Sequence, residues 1–370
     1  MTDYLKNLVK RQFVNFLSLI LLLICSLSVL QVSAQNDTTE TKEQKGTSQK
    51  QDISLFGSDE ILNVSIYMDL SAFLKKTSKT DSFIAKMVIN PGRTDSINRK
   101  IRIKYRGILR YDICSFPPIQ INFKKPLYSD SGEIKKIKLV THCEPGSLTD
   151  EYVIREYLVY KLFNALTDTS LRVRLLKINY IDPKGNKKTI IKYGVFIEPV
   201  DFLARRTNST IVKATNLNQN HIIPRVNDRM AIFNYLVSNW DWSLPGKHNV
   251  EVIKPISYSA GSLGIAVPYD FDLTGIVNAE YAVPPPDIGI ETIRNRIYSG
   301  LCRTKEVYID DLIEFINKKE KLYSAINECP YLNQRSKKDI TNFMDEFYNK
   351  LEKTKSMDNL IEDFLRTCKY

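Results

Sequence analysis

The chain has 370 residues, 43% hydrophobic and 26% charged, an ordinary globular composition that is ample for one large domain or for two lobes sharing a cleft. Its formal net charge is +11, yet the bases are scattered along the sequence and no Arg/Lys-rich helix carries interleaved stacking aromatics. That distribution argues against a nucleic-acid partner and leaves solubility and a general attraction to anions.

In chain order, Lys6, Lys10 and Arg11 precede an apolar run from Phe13 to about Val32, which ends in "VSAQ". This pattern predicts a secretory signal peptide over residues 1–34, cut near Ala34. The run is also nearly long enough to span a bilayer, so an uncleaved anchor is the alternative, and the one case in which a membrane would be a partner. Cys25 follows Ile24, where lipidation would need a small residue. Residues 35–54 are polar and lack aliphatic side chains until Ile53, which predicts a disordered spacer. Five cysteines remain, Cys114, Cys143, Cys302, Cys329 and Cys368, with no C-x-x-C pair to suggest zinc. In an exported chain they can form disulfides. Their odd number leaves at least one thiol free or paired between chains. Cys114 and Cys143 are the expected pair, since each lies at the edge of a predicted strand in one region.

From 60 to 141 the hydrophobic period is two. "LNVSIYMDL", "FIAKMVI", "RKIRIKYRGI", "IQINF" and "IKKIKLVT" predict strands separated by Pro, Gly and Ser. The period then becomes helical over 147–166, with Ser147 as the candidate cap and Val153, Ile154, Tyr157, Leu158, Leu162 and Phe163 on the apolar face. "LRVRLLKINYID" and "KTIIKYGVFIEPV" predict two further strands around a "PKGN" turn. A helix is expected over 227–240, then strands in "NVEVI" and "LGIAVPYD", then mostly helix from about 291. The expected class is α+β, with a sheet-rich lobe over 55–200 and a helix-rich lobe over 201–370.

The chemistry-bearing residues fall where these elements give way to loops, the usual place for function on a rigid scaffold. Asp241 follows the 227–240 helix in "NWDWSLPGKHN". Asn249 precedes the next strand, and Asp270 and Asp272 end the strand after that in "VPYDFDLTG". A carboxylate that accepts a hydroxyl proton, with an amide oxygen and carboxylates that hold magnesium, is the set phosphoryl transfer needs. If "YDFD" continued as a strand, Asp270 and Asp272 would share a face and repel unless a cation lay between them. The plainer reading is a cap at Asp241 and a turn at Asp270. His142, His221 and His248 are far apart, and His248 reads as an orienting residue. Ser243 and Ser262 lack a nucleophile context.

In order and spacing, "RGILRYDICSFPPIQINFKK", "REYLVYKLFNAL", "YGVFIEPVDFLARR", "NWDWSLPGKHN" and "VPYDFDLTG" resemble the spore-coat-protein-H-like (CotH) kinases, secreted atypical protein kinases. The chain looks most like an exported family common in Bacteroidota. The resemblance covers roughly half of the chain, and it implies a two-lobed atypical protein-kinase-like fold with ATP and magnesium or manganese as cofactors. It also implies Asp241 as the catalytic residue, Asn249 and Asp270 as metal ligands, and Glu156 as the helix glutamate that pairs with a phosphate-binding lysine. Asp272 is expected to be a second metal ligand or to orient the loop through backbone amides. Where the family carries bases after its proline turn, this chain has Gln120 and Asn122. Lys104, Lys124 and Lys138 are left as candidates for that lysine, and no glycine-rich phosphate loop is visible. The expected function is transfer of the ATP γ-phosphoryl to hydroxyls of an exported protein, in the periplasm or at the cell surface. The alternative is an inactive binding or scaffold protein of the cell envelope.

Overall fold

A computed structural model of the chain describes residues 52–144, 148–257 and 263–370. The expected signal segment, nearly all of the spacer, and Ser147 and Ser262 lie outside them. The described residues belong to one compact unit, Gln49–Tyr370.

The sheet-forming residues make a closed barrel. Its strands are β1 (Leu62–Tyr67), β2 (Ser82–Ile89), β3 (Ile97–Tyr105), β4 (Ile119–Ser129), β5 (Gly132–Val140), β6 (Val173–Ile181) and β7 (Ile190–Ile197), in the order β1-β2-β3-β4-β5-β7-β6. Neighbours are antiparallel except at the closure, where β1 runs parallel to β6 from Leu62↔Leu176 to Tyr67↔Ile181. The period-two pattern sends one parity inward, so Val64, Ile66, Met87, Ile101, Ile103, Ile121 and Ile178 are all fully buried in the barrel's own core. Pro126 cannot donate to a ladder, and it sits where the β4–β5 register shifts between Asn122 and Leu127. Two short helices, α1 (Leu70–Leu74) and α2 (Leu109–Ile113), lie in the connections after β1 and β3.

Outside the barrel runs α3 (Leu148–Leu166), followed after β7 by α4 (Val200–Arg206) and α5 (Pro224–Leu236). A second sheet of β8 (Ser209–Ile211), β9 (Val250–Pro255) and β10 (Ile265–Pro268) has the order β10-β9-β8. The helices α6 (Lys305–Asn327), α7 (Gln334–Leu351) and α8 (Thr354–Thr367) complete the chain. One continuous apolar core joins α3, the outer residues Val173, Leu175, Val195 and Ile197 of β6 and β7, the second sheet and the C-terminal helices. Val153 to Tyr160 of α3 are buried without a break, because the helix is enclosed on nearly every side.

This architecture corrects the expected fold class. The chain is α+β, but the expected sheet-rich lobe is a closed seven-stranded mixed barrel with helices packed beside it, and not the sheet half of a two-lobed kinase-like fold. Alternation in a sequence reports which residues face inward, and it carries no information on whether the first and last strands meet.

Disulfides join Cys114 to Cys143, with Cα atoms 4.7 Å apart, and Cys302 to Cys368, while Cys329 is a buried free thiol. The first is the expected pair. Two disulfides are compatible with an extracellular setting. Among the described residues no helix is long and apolar enough to cross a membrane.

Candidate functional site

The site is assembled from four segments: the loop after α5, the exit of β10, the middle of α3 and the β3–β4 connection. Helix α5 begins with Pro224 at its first position and ends at Leu236, and Ser238 then turns the chain with φ 54°. The Ser238 hydroxyl donates to the carbonyls of Ile293 and Asn295, at 2.8 and 2.9 Å. The Asn239 side chain donates to Asn234 and accepts from the Asp241 backbone at 3.0 Å. Asp241 is therefore held from behind. From 243 to 248 the loop doubles back through paired backbone bonds between Ser243 and His248, which returns the chain to Asp241.

There the His248 Nε2 lies 2.7 Å from Asp241 Oδ1. The Asn249 Nδ2 donates to both the Asp241 carbonyl and its Oδ2, each at 2.9 Å. With its nitrogen committed to Asp241, the Asn249 amide leaves its oxygen for another partner. The Tyr269 backbone N–H donates to the Asn249 carbonyl at 2.9 Å, so the β9–β10 pairing continues to the residue before Asp270.

Asp270 has φ 63°, and the strand ends two residues before it, at Pro268. The strand-like DFD of the sequence reading is not formed. Asp270 and Asp272 are nevertheless in electrostatic contact, because the turn brings both toward α3. The Asp270 N–H donates to the Tyr160 hydroxyl at 2.8 Å. Phe271 is fully buried between the rings of Tyr160 and Phe233, with centroids 4.8 and 5.9 Å away. Gly275 closes the turn: a Cβ there would lie 2.8 Å from that of Ser238 and 3.0 Å from the Ile293 carbonyl, so only glycine permits this approach. Ser238, Lys247, Asn249 and Asp270 are four of the eight non-glycine residues with positive φ among the described residues. Backbone strain is thus concentrated in the loops that present Asp241 and Asp270, a pattern associated with functional sites.

Two arginines from the β3–β4 connection face these carboxylates. Arg106 Nη2 is 3.5 Å from Asp270 Oδ2, and Arg110 Nε is 3.9 Å from Asp272 Oδ2. Arg110 is buried, donates to the Thr141 carbonyl at 2.5 Å, and leaves its Nε without a hydrogen bond. Glu156 on α3 is also buried, with Oε1 unpartnered. Burial raises the Glu156 carboxyl well above its ordinary value, and the charges of Asp272 and Asp270 raise it further against Arg110 and Arg106. Asp272 is pushed up to about 6, first by burial and then by Asp270, with Asp241 adding a smaller push in the same direction. The cluster thus gathers four carboxyl groups around two arginines, and burial holds two of the four toward their protonated form.

The sequence-derived set is partly brought together. Asp241, Asn249, Asp270, Asp272 and Glu156 converge. Lys124 is exposed on β4, and Lys104 is exposed on the outer face of β3. Lys104 and Lys138 flank Gln120 on one rung of the sheet. Lys138 is the lysine that reaches the cluster: its Nζ lies 4.0 Å over the Tyr269 ring. Its pKa is lowered by burial and then by Arg106, while Asp270 and Glu251 pull it up. The cations acting on Glu156 are the arginines. The sequence reading had not singled these out, although two bases four apart directly after a strand, in "RGILR", were the available signal.

Lys138 also lines a groove of ≈ 710 Å³ between β5, the β7–α4 connection and β9, whose walls include Lys136, Glu198, Pro199, Phe202 and Glu251. Among the described residues no three His, Cys, Asp or Glu form a ready metal cage. Magnesium does not require one, since it is commonly held by one or two carboxylates with phosphates and water completing its shell. The hard oxygens of Asp270 and Asn249 fit such an ion.

No protein-family model matches the chain, and no curated protein matches it.

Proposed function

We propose that the chain is an exported, metal-dependent phosphotransferase that moves the γ-phosphoryl of ATP to a hydroxyl of an exported protein. The observation that carries this reading is the Asp241–Asn249–Asp270 junction. One carboxylate is oriented by His248 and by the Asn249 amide, and the Tyr269 N–H bound to the Asn249 carbonyl brings the following residue, Asp270, alongside the same loop. The groove of ≈ 710 Å³ is of a size that takes a nucleotide, and Lys138, which lines it and feels the charge of Asp270, is placed to meet its phosphates. Asp241 would accept the acceptor's hydroxyl proton as its oxygen bonds to phosphorus and the bond to the leaving diphosphate breaks. Asp270 and Asn249 would hold a divalent cation, which offsets charge on the phosphates when bound. Arg110 and Glu156 would hold the Asp272 loop in place from behind.

The Arg106–Asp270 ion pair also favours a second reading, in which the arginine satisfies the carboxylate and the protein binds without catalysis. Melting curves of the full chain with manganese and ATP separate the two. Wild type is expected to gain several degrees, and Asp270→Asn to gain none while folding normally. If wild type shows no shift, or the variant keeps all of it, Asp270 is a structural turn residue and the phosphotransfer reading fails.

A further inference from the structure

The bases that look scattered in the sequence are gathered by the barrel. On β3, Lys100, Arg102 and Lys104 share one parity and are exposed. Register places Lys86 of β2 opposite Lys100, Lys136 of β5 on the Arg102 rung through Asn122, and Lys138 on the Lys104 rung through Gln120. Lys124 continues the same face of β4 and is exposed. No carboxylate stands on these rungs. Arg99, of the opposite parity, is the β3 base that does have one, in Asp52. Such a field of like charges disfavours its own fold slightly, and it is complementary to an anionic partner.

The column on β3 has a direction. Two residues farther on the same parity is Arg106, 3.5 Å from Asp270. Alternate side chains of a strand are about 6.6–6.8 Å apart, and so are those of an extended peptide. An extended chain with acidic side chains at alternate positions would match the column charge for charge and be led to the candidate site. The barrel wall is convex, which suits a strand-like ligand better than a flat bilayer.

We propose that the outer face of β2 to β4, beside the groove lined by β5, docks an acidic, extended polypeptide segment and delivers its hydroxyl-bearing residue to the Asp241–Asp270 site. Delivery to that site rests on the phosphotransfer reading, whereas the docking does not. The probe is a fluorescein-labelled peptide of glutamates around one serine, titrated with the full chain at low ionic strength and followed by anisotropy. Wild type is expected to bind, to weaken steeply as salt is raised, and to lose at least about tenfold in affinity in Lys100→Glu/Arg102→Glu. The neutral pair Lys100→Gln/Arg102→Gln should fall between, which guards against a folding artefact. Asp270→Asn should keep peptide binding whatever its response to ATP. Peptide binding in a wild type that ignores manganese and ATP would therefore sink the phosphotransfer reading and leave the docking face standing. The docking proposal is overturned if wild type does not bind the peptide or the charge-reversed pair binds it equally well. It is also overturned if phosphatidylglycerol vesicles are captured through Lys100 and Arg102 while the peptide is not.

Discussion

Asp272 joins the site's electrostatics to its stability. Its carboxyl titrates near 6 in the folded chain, against an ordinary 3.8. Below the ordinary value both folded and unfolded forms carry the proton, and the folded form loses nothing. As pH rises through 6 the folded form must ionise a buried group that the unfolded chain ionises freely, so this stability is lost between about pH 4 and 6. Asp272→Asn is therefore expected to stabilise the ligand-free protein above pH 7, on the order of 2–3 kcal/mol, with no gain near pH 4. Urea titrations at the two pH values check this, and an equal gain at both would remove the carboxyl as the cause. Phe271→Ala should cost about 3–5 kcal/mol as a buried aromatic truncation, read from the same titrations; a loss under about 1 kcal/mol would mean the ring does not fix the turn. The inward Phe271 was legible from its place after an apolar run. The positive φ of Asp270 was not, since aspartate is permitted there without being required. Arg106 and Arg110 were equally hard to see, because a base after a strand looks the same whether or not a buried carboxylate waits for it.

At the scale of elements, the Cys114–Cys143 bridge fixes the connection that carries both arginines. Cys114 ends α2, and Cys143 lies just past β5. The second bridge, Cys302–Cys368, ties down the C-terminal helix on another part of the chain. Replacing either pair by serine should destabilise by about 2–4 kcal/mol. Only Cys114→Ser/Cys143→Ser should also weaken the melting shift with manganese and ATP, because it frees Arg106 and Arg110 from their positions. Equal weakening by both pairs would show a general loss of stability with no local effect. Periodicity located most elements well: β7 lies within "KTIIKYGVFIEPV", and α3 ends at Leu166 as expected. It failed where a local signal misleads. Strand β4 continues past Pro126, because a register shift excuses the missing donor. Strand β3 ends at Tyr105, three residues short of the end of the stretch read as strand, and helix α2 follows at Leu109. The last helical region opens only at Lys305, after turns that begin near 291.

For the molecule as a whole, strand identity was readable and strand neighbourhood was not. The same pairing that closes the barrel also turns dispersed lysines and arginines into one charged face, so both escaped a reading along the chain. The parallel closure bears on the order of folding. Strand β1 needs β2, which follows closely, and β6, whose Leu176 faces Leu62 across more than a hundred intervening residues. Until the chain through Ile181 is available, one side of β1 is an open row of backbone donors and acceptors, ready to pair with any other extended segment. Contacts so distant in sequence make folding slow, and a slow step with an open edge invites aggregation. A chain exported with its N-terminus leading, as proposed, would present β1 first and complete it late, so a holding factor on the far side of the membrane would protect this edge more than any other.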